Sequence, residues 1–168
     1  MNTKALHKLS YGLYVVTSRS GERQSGQIAN TVIQVTSEPP QIAVALNREN
    51  LTHELIRESG VFGVSILAQD TPLPFIGKFG FKSGRDVDKF AEASVREGKL
   101  GVPLVLGHAL ALLEARVSQA IDLGTHTLFV GRVEEAEVLG EGEPLTYAYY
   151  HQVKRGTTPK TAPAYSKE

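Results

Sequence analysis

The chain has 168 residues, 41% of them hydrophobic, which is enough for one globular domain with a buried core. Eighteen Lys plus Arg balance eighteen Asp plus Glu, so no net field draws it to nucleic acid or to an anionic membrane surface, and any anion must be held locally. The absence of cysteine excludes disulfides, thiolate metal sites, iron–sulfur clusters and a cysteine nucleophile, so redox chemistry would require a bound cofactor.

The N-terminal residues Met1 to Ser10 carry Lys4, His7 and Lys8 without an apolar segment. No later run approaches the roughly 20 apolar residues of a membrane span, so no membrane association and a cytoplasmic location are expected. Leu13 to Ser18 is a short β-branched strand that ends in the turn-forming run Arg19 to Arg23. Residues Gln27 to Thr36 and Gln41 to Asn47 read as two strands apolar on both faces, joined by a Pro39-Pro40 turn and expected at the centre of a sheet. Asn50 is a good helix N-cap; Leu51, Leu55 and Glu58 follow at helical spacing, and Gly60 suits the position after the C-cap.

Val61 to Leu67 is a further core strand, and Thr71 to Phe90, without clear periodicity, reads as short helix and loop. Leu113, Ala115, Val117 and Ile121 alternate with Glu114, Arg116, Ser118 and Asp122, which predicts a long half-exposed strand. Gly124-Thr125 then reverses the chain, Thr127 to Leu139 pairs back, and Leu145 to Val153 reads as a last strand. Seven strands with few helices predict a mainly β fold closed into an antiparallel barrel over residues 1–153, followed by an extended tail, 154–168, rich in Thr and Pro.

The segment after the second strand of the Pro-Pro pair brings Arg48, Asn50, Thr52 and His53 to a helix start, where a phosphate is well held. That is the outline of a nucleotide or flavin site. The same residues are equally compatible with an Asn50 that only caps a helix and a solvated Arg48. Nothing else competes for chemistry: Asp70, Asp86, Asp88 and Asp122 are scattered, and the five histidines have no metal-ligand spacing.

A specific resemblance comes from the order Ala29-Asn30-Thr31, Ser37-Glu38-Pro39-Pro40, Asn47, Leu51 to Ile56, Ser59 to Val64 and Gly124-Thr125-His126. Over residues 7 to 153 the chain resembles the flavin reductase-like family, whose members have a Greek-key FMN-binding split barrel. Through Gly84-Arg85-Asp86 and Pro159 to Pro163 it is most similar to the flavin module of high-molecular-weight rubredoxins and to archaeal ferric reductases.

The resemblance implies that Gln27, Ile28, Ala29, Asn30 and Thr31 lie along the edge of the flavin ring. It implies that Asn47, Arg48, Asn50, Leu51, Thr52 and His53 hold the ribityl phosphate, and that Ser83 and Arg85 meet polar ring or phosphate atoms. The loop of Ser83 and Arg85 also reads as an exposed basic loop with Phe anchors. His126 would face the nicotinamide and orient it or supply a proton; by itself it reads as a turn-capping histidine. The family usually has Asp where this chain has Thr125. Tyr165 is a candidate cover for the flavin.

The implied activity is that of an NAD(P)H-dependent oxidoreductase. It would hold FMN, take electrons from NADH or NADPH, and pass them to flavin, ferric complexes or a small redox protein such as rubredoxin. The alternatives are a noncatalytic, flavoredoxin-like FMN electron carrier and a binding module that uses the barrel for another ligand. The apolar outer faces of Ile28 to Leu46 and the family's habit predict a homodimer.

Overall fold

Residues 1–165 are described by the computed structural model. A short 3-10 helix at Thr3–Lys8 precedes β1 (Tyr14–Ser20), β2 (Arg23–Ala29), β3 (Val32–Ser37) and β4 (Pro40–Asn47). Helix α1 (Leu51–Ser59) leads into β5 (Val61–Leu67) and α2 (Leu73–Gly80), followed by the short strands β6 (Val95–Glu97) and β7 (Pro103–Val105). The long strands β8 (Ala109–Asp122) and β9 (His126–Val138) come next, and then helix α3 (Tyr147–Gln152).

Seven strands form one antiparallel sheet in the order β2-β1-β5-β8-β9-β4-β3, and β6-β7 form a separate pair. The fold is mainly β, but the expected barrel is not closed. No ladder joins the terminal strands β2 and β3, which are consecutive in the chain and linked only through Asn30 and Thr31. The run 27–36 is therefore not one central strand: it breaks where the chain crosses from one edge of the sheet to the other. Strand β3 carries a register shift between Gln34 and Thr36, an irregularity common at sheet edges.

Strand β1 holds the core together because both its faces are covered. Val16 joins a buried cluster with Val44, Leu46, Ile56, Phe62 and Phe129. Its neighbour Val15 joins a second with Leu13, Leu67, Ile76, Phe79, Leu145 and Tyr150. Helix α1 packs on β1 and β2 and buries Thr52, His53, Leu55 and Ile56, a face at helical spacing. It ends as its sequence predicts: Gly60 takes the left-handed conformation with φ 71°, and its N–H donates to the Ile56 carbonyl.

The segment 145–153 departs from expectation. Its tyrosines favour strands, yet Tyr147–Gln152 is helical. Thr146 Oγ1 accepts the Tyr149 N–H at 3.1 Å as an N-cap, and the helix carries Tyr150 into the second cluster. No helix among the described residues is long and apolar enough to cross a membrane.

Candidate functional site

A cavity of about 560 Å³ opens where the C-terminal end of β2, the end of β4, the start of α1 and the loop after α2 converge. Gln27, Ile28, Ala29 and Asn30 line one side, Asn47, Asn50, Leu51 and Thr52 another, and Ser83 a third. The chain beyond α3 completes the enclosure with Thr157 to Pro163 and Tyr165. Lys82, Lys89 and Lys160 line it against a single carboxylate, Glu49, so its charge favours an anion.

Two polar atoms in this lining have no hydrogen-bond partner among the described residues: Gln27 Oε1, an acceptor, and Asn30 Nδ2, a donor, both buried. The Asn30 amide is held in place because Thr31 Oγ1 donates to its Oδ1 at 3.0 Å, leaving Nδ2 unpaired. A buried amide group without a partner costs about 1–3 kcal/mol, so such a pair marks a place for a ligand with complementary donors and acceptors. The flavin ring edge, with alternating carbonyl and N–H groups, has that pattern.

The start of α1 offers a second group of unpaired donors beside the cavity. Its first helical bond runs from the Glu54 N–H to the Asn50 carbonyl at 3.3 Å, so the N–H groups of residues 51–53 have no intrahelical acceptor. Asn50 occupies the N-cap position, but its side chain makes no capping bond and the amide stays available. These free donors, the positive end of the helix dipole and the nearby lysines suit a phosphate.

Several residues expected in the phosphate site point elsewhere. Arg48 is outside the cavity lining; its guanidinium donates to the Gly124 carbonyl at 3.2 Å and pairs with Asp122 at 3.4 Å. His53 is buried behind the helix, with Nε2 2.8 Å from Thr127 Oγ1 and its ring against Phe129. Burial, reinforced by the positive charges of Arg57 and Arg48, lowers its pKa and keeps it neutral. Arg85 lines an adjoining cleft and donates to Glu54 Oε2 at 2.7 Å, while Arg23 holds the other oxygen at 2.6 Å. Those two bonds hold the Glu54 carboxyl below the usual carboxylate range and anchor the 83–86 loop on α1.

His126 opens β9 directly beside Asn47, its partner in the ladder. Its Nδ1 lies 2.9 Å from Thr125 Oγ1 and its Nε2 3.2 Å from the Thr161 carbonyl oxygen. A carbonyl only accepts, so Nε2 carries the hydrogen and the Thr125 hydroxyl donates to Nδ1. Thr125 thus orients the imidazole.

Among the lining residues that escaped the sequence is a buried lysine. Lys89 is buried, and its ammonium donates to the Gly26 carbonyl at 2.9 Å and the Phe79 carbonyl at 3.0 Å. Burial pushes its pKa down to about 8. Its run, Asp86 to Phe90, looks solvated, and both carbonyls lie far from it in the chain.

A model of the flavin reductase like domain family matches residues 6–157. The chain is 57% identical to a high molecular weight rubredoxin of Moorella thermoacetica, over 99% of this chain and 72% of the relative. It is 56% identical to a ferric-chelate reductase (NAD(P)H) of Archaeoglobus fulgidus, over 98% of both chains. An FMN-binding protein of Thermus thermophilus has the same fold, with a TM-score of 0.75 at 28% identity over 84% of this chain and 83% of the other.

Proposed function

Since the chain belongs to the flavin reductase like domain family, we propose that it is an FMN-binding, NAD(P)H-dependent oxidoreductase passing electrons to flavin, ferric iron or a small redox protein. The observation that carries this reading is the unpaired couple Gln27 Oε1 and Asn30 Nδ2, set in a cavity beside a helix start and three lysines. In it, Gln27 to Asn30 hold the ring edge, and Thr31 keeps Asn30 in position. The donors of residues 50–52, with Ser83, hold the phosphate. FMN bound there supplies a carrier that accepts hydride from a nicotinamide and releases electrons to an acceptor.

The remaining residues position or tune. Lys89 keeps its proton below about pH 8 and places a positive charge at the cavity, which favours negative charge developing on a reduced ligand. His126, with hydrogen on Nε2, donates toward the nicotinamide carboxamide and orients it. Arg48 supports the 122–125 turn that carries His126, and His53 fastens α1 to β9. A second copy of the chain covers the β3 edge, where Ile33 and Val35 are 56% and 44% exposed; equilibrium sedimentation at micromolar concentration should give the mass of a dimer.

Anaerobic stopped-flow mixing of the FMN-loaded protein with NADH and with NADPH tests the activity. Rapid bleaching of the flavin band by at least one donor is expected. Retained FMN with no bleaching by either would reject direct nicotinamide oxidation in favour of an electron carrier reduced by a partner. A protein that does not retain FMN would reject the site itself.

A further inference from the structure

The chain beyond α3 is fastened to the rest of the cavity wall by side-chain hydrogen bonds. It leaves α3 through Arg155, a non-glycine residue at φ 60°, and Gly156, where a Cβ would lie 2.0 Å from the Tyr150 ring. Only glycine lets the chain bend this closely over Tyr150. Past the bend, Tyr150 Oη donates to the Thr157 carbonyl at 2.9 Å, and Thr158 Oγ1 meets Tyr147 Oη at 2.5 Å and His151 Nε2 at 3.2 Å. From Pro159 onward, one hydrogen bond among the described residues ties the segment to the sheet: His126 Nε2 to the Thr161 carbonyl. No residue of 157–165 is fully buried.

We propose that residues 159–165 are a self-bound competitor for the nicotinamide cofactor, latched by the Thr161 carbonyl on His126 and released by pivoting beyond the Thr158 anchor. The proposal rests on the assignment of His126 to the nicotinamide made above. The chemistry of the latch carries it. His126 is preset as a donor by the Thr125 hydroxyl, and the group it holds is an amide carbonyl. The nicotinamide carboxamide presents the same group, so one donor cannot serve both. The segment also lines the cavity through Thr161, Ala162, Pro163 and Tyr165, so a second ring entering there meets the strap before it meets the flavin.

The strap therefore reduces the fraction of protein open to the donor, and the apparent affinity for nicotinamide falls by that fraction. A latch of one hydrogen bond corresponds to about two- to tenfold. It leaves FMN held by the opposite walls and shields it when no donor is present.

Two measurements test this, both on FMN-saturated protein with the unreactive oxidised cofactors NAD+ and NADP+. The first compares calorimetric affinities of the full chain and of a chain ending at Gly156; the shortened chain should bind about two- to tenfold more tightly. The second uses Tyr165→Trp in the full chain, which has no other tryptophan. Its emission, quenched by the nearby flavin, should rise as the cofactor binds. Equal affinities, or an emission that stays quenched at saturating cofactor, would overturn the strap. If the shortened chain does not fold, the indole signal decides alone. If neither cofactor binds either form, the nicotinamide assignment fails, and the strap proposal falls with it.

Discussion

The sheet wall of the cavity and the strap that completes it are held by different forces. On the sheet side, the lining residues Ala29 and Leu46 are themselves members of the buried cluster with Phe62 and Phe129, and β4 is laddered to β9 along its length. On the strap side, 157–165 contributes no buried residue and depends on hydrogen bonds from the side chains of Tyr147, Tyr150, His151 and His126. Burying a large apolar side chain is worth about 1.5–3 kcal/mol, while one such hydrogen bond nets about 0.5–1.5. One wall is therefore as stable as the fold, and the other can open on its own.

The largest effect should come from removing the floor of the sheet wall. Phe62→Ala deletes a fully buried ring and should destabilise the protein by about 3–5 kcal/mol, read as a lower urea midpoint with an unchanged slope. A loss below about 1 kcal/mol would mean that the sheet wall is no better founded than the strap.

Lys89 tests the same wall by charge. Burial lowers its folded pKa to about 8 from the ordinary lysine value of 10.5, so between these pH values the unfolded chain binds more protons than the folded one. Stability therefore rises with pH across that window and is flat in this contribution below it, by up to about 3 kcal/mol, less whatever the two carbonyl bonds return to the charged form. The difference in unfolding free energy between the protein and Lys89→Met, followed from pH 7.5 to 10.5, isolates it. A difference that does not change with pH would show that the ammonium is well solvated.

Asn30→Ala should weaken FMN by about two- to tenfold and cost folding stability about 1 kcal/mol or less, because it removes only the Thr31 bond to Oδ1 while Nδ2 has no partner to lose among the described residues. Thr158→Val should be milder: it releases Tyr147 Oη and His151 Nε2 at the edge of the strap and should cost about 1 kcal/mol or less in urea. Tryptic cleavage at Lys160 should accelerate at the same time. If Thr158→Val matched Phe62→Ala, the distinction between the walls would disappear.

Which parts of this were legible follows from the range of the interactions. Helix α1 could be read because its signals are local: Asn50 before the first turn, Leu55 within it and Gly60 after it. The β8 and β9 pair was legible because period-two alternation needs no partner to be seen. The break at Asn30-Thr31 was not, since no glycine or proline marks it and its cause is the crossing between sheet edges. Helix α3 was hidden by tyrosines whose strand preference is overridden by the Thr146 cap and the burial of Tyr150. Lys89 was invisible because its acceptors, Gly26 and Phe79, come from other elements.

The smallest expected effect concerns the residue on which sequence and structure differ most. Read from its position before a helix start, Arg48 belongs to the phosphate, and its removal should weaken FMN by about 1.5–3 kcal/mol, the size for a bond to a charged group. Asn47 and Asn50 do line the cavity, yet Arg48 between them turns to the β8–β9 reversal, half exposed and 3.4 Å from Asp122. An exposed ion pair of that length contributes little, and a guanidinium held there reaches FMN only as a distant, screened charge. Arg48→Ala should therefore weaken FMN by less than about threefold. Because the same side chain holds the Gly124 carbonyl, it should raise the KM for the nicotinamide more than it changes the Kd for FMN. A loss of FMN affinity beyond tenfold would show that the guanidinium leaves Asp122 and swings to the phosphate when the cofactor binds, which would make this corner of the sheet wall as adjustable as the strap.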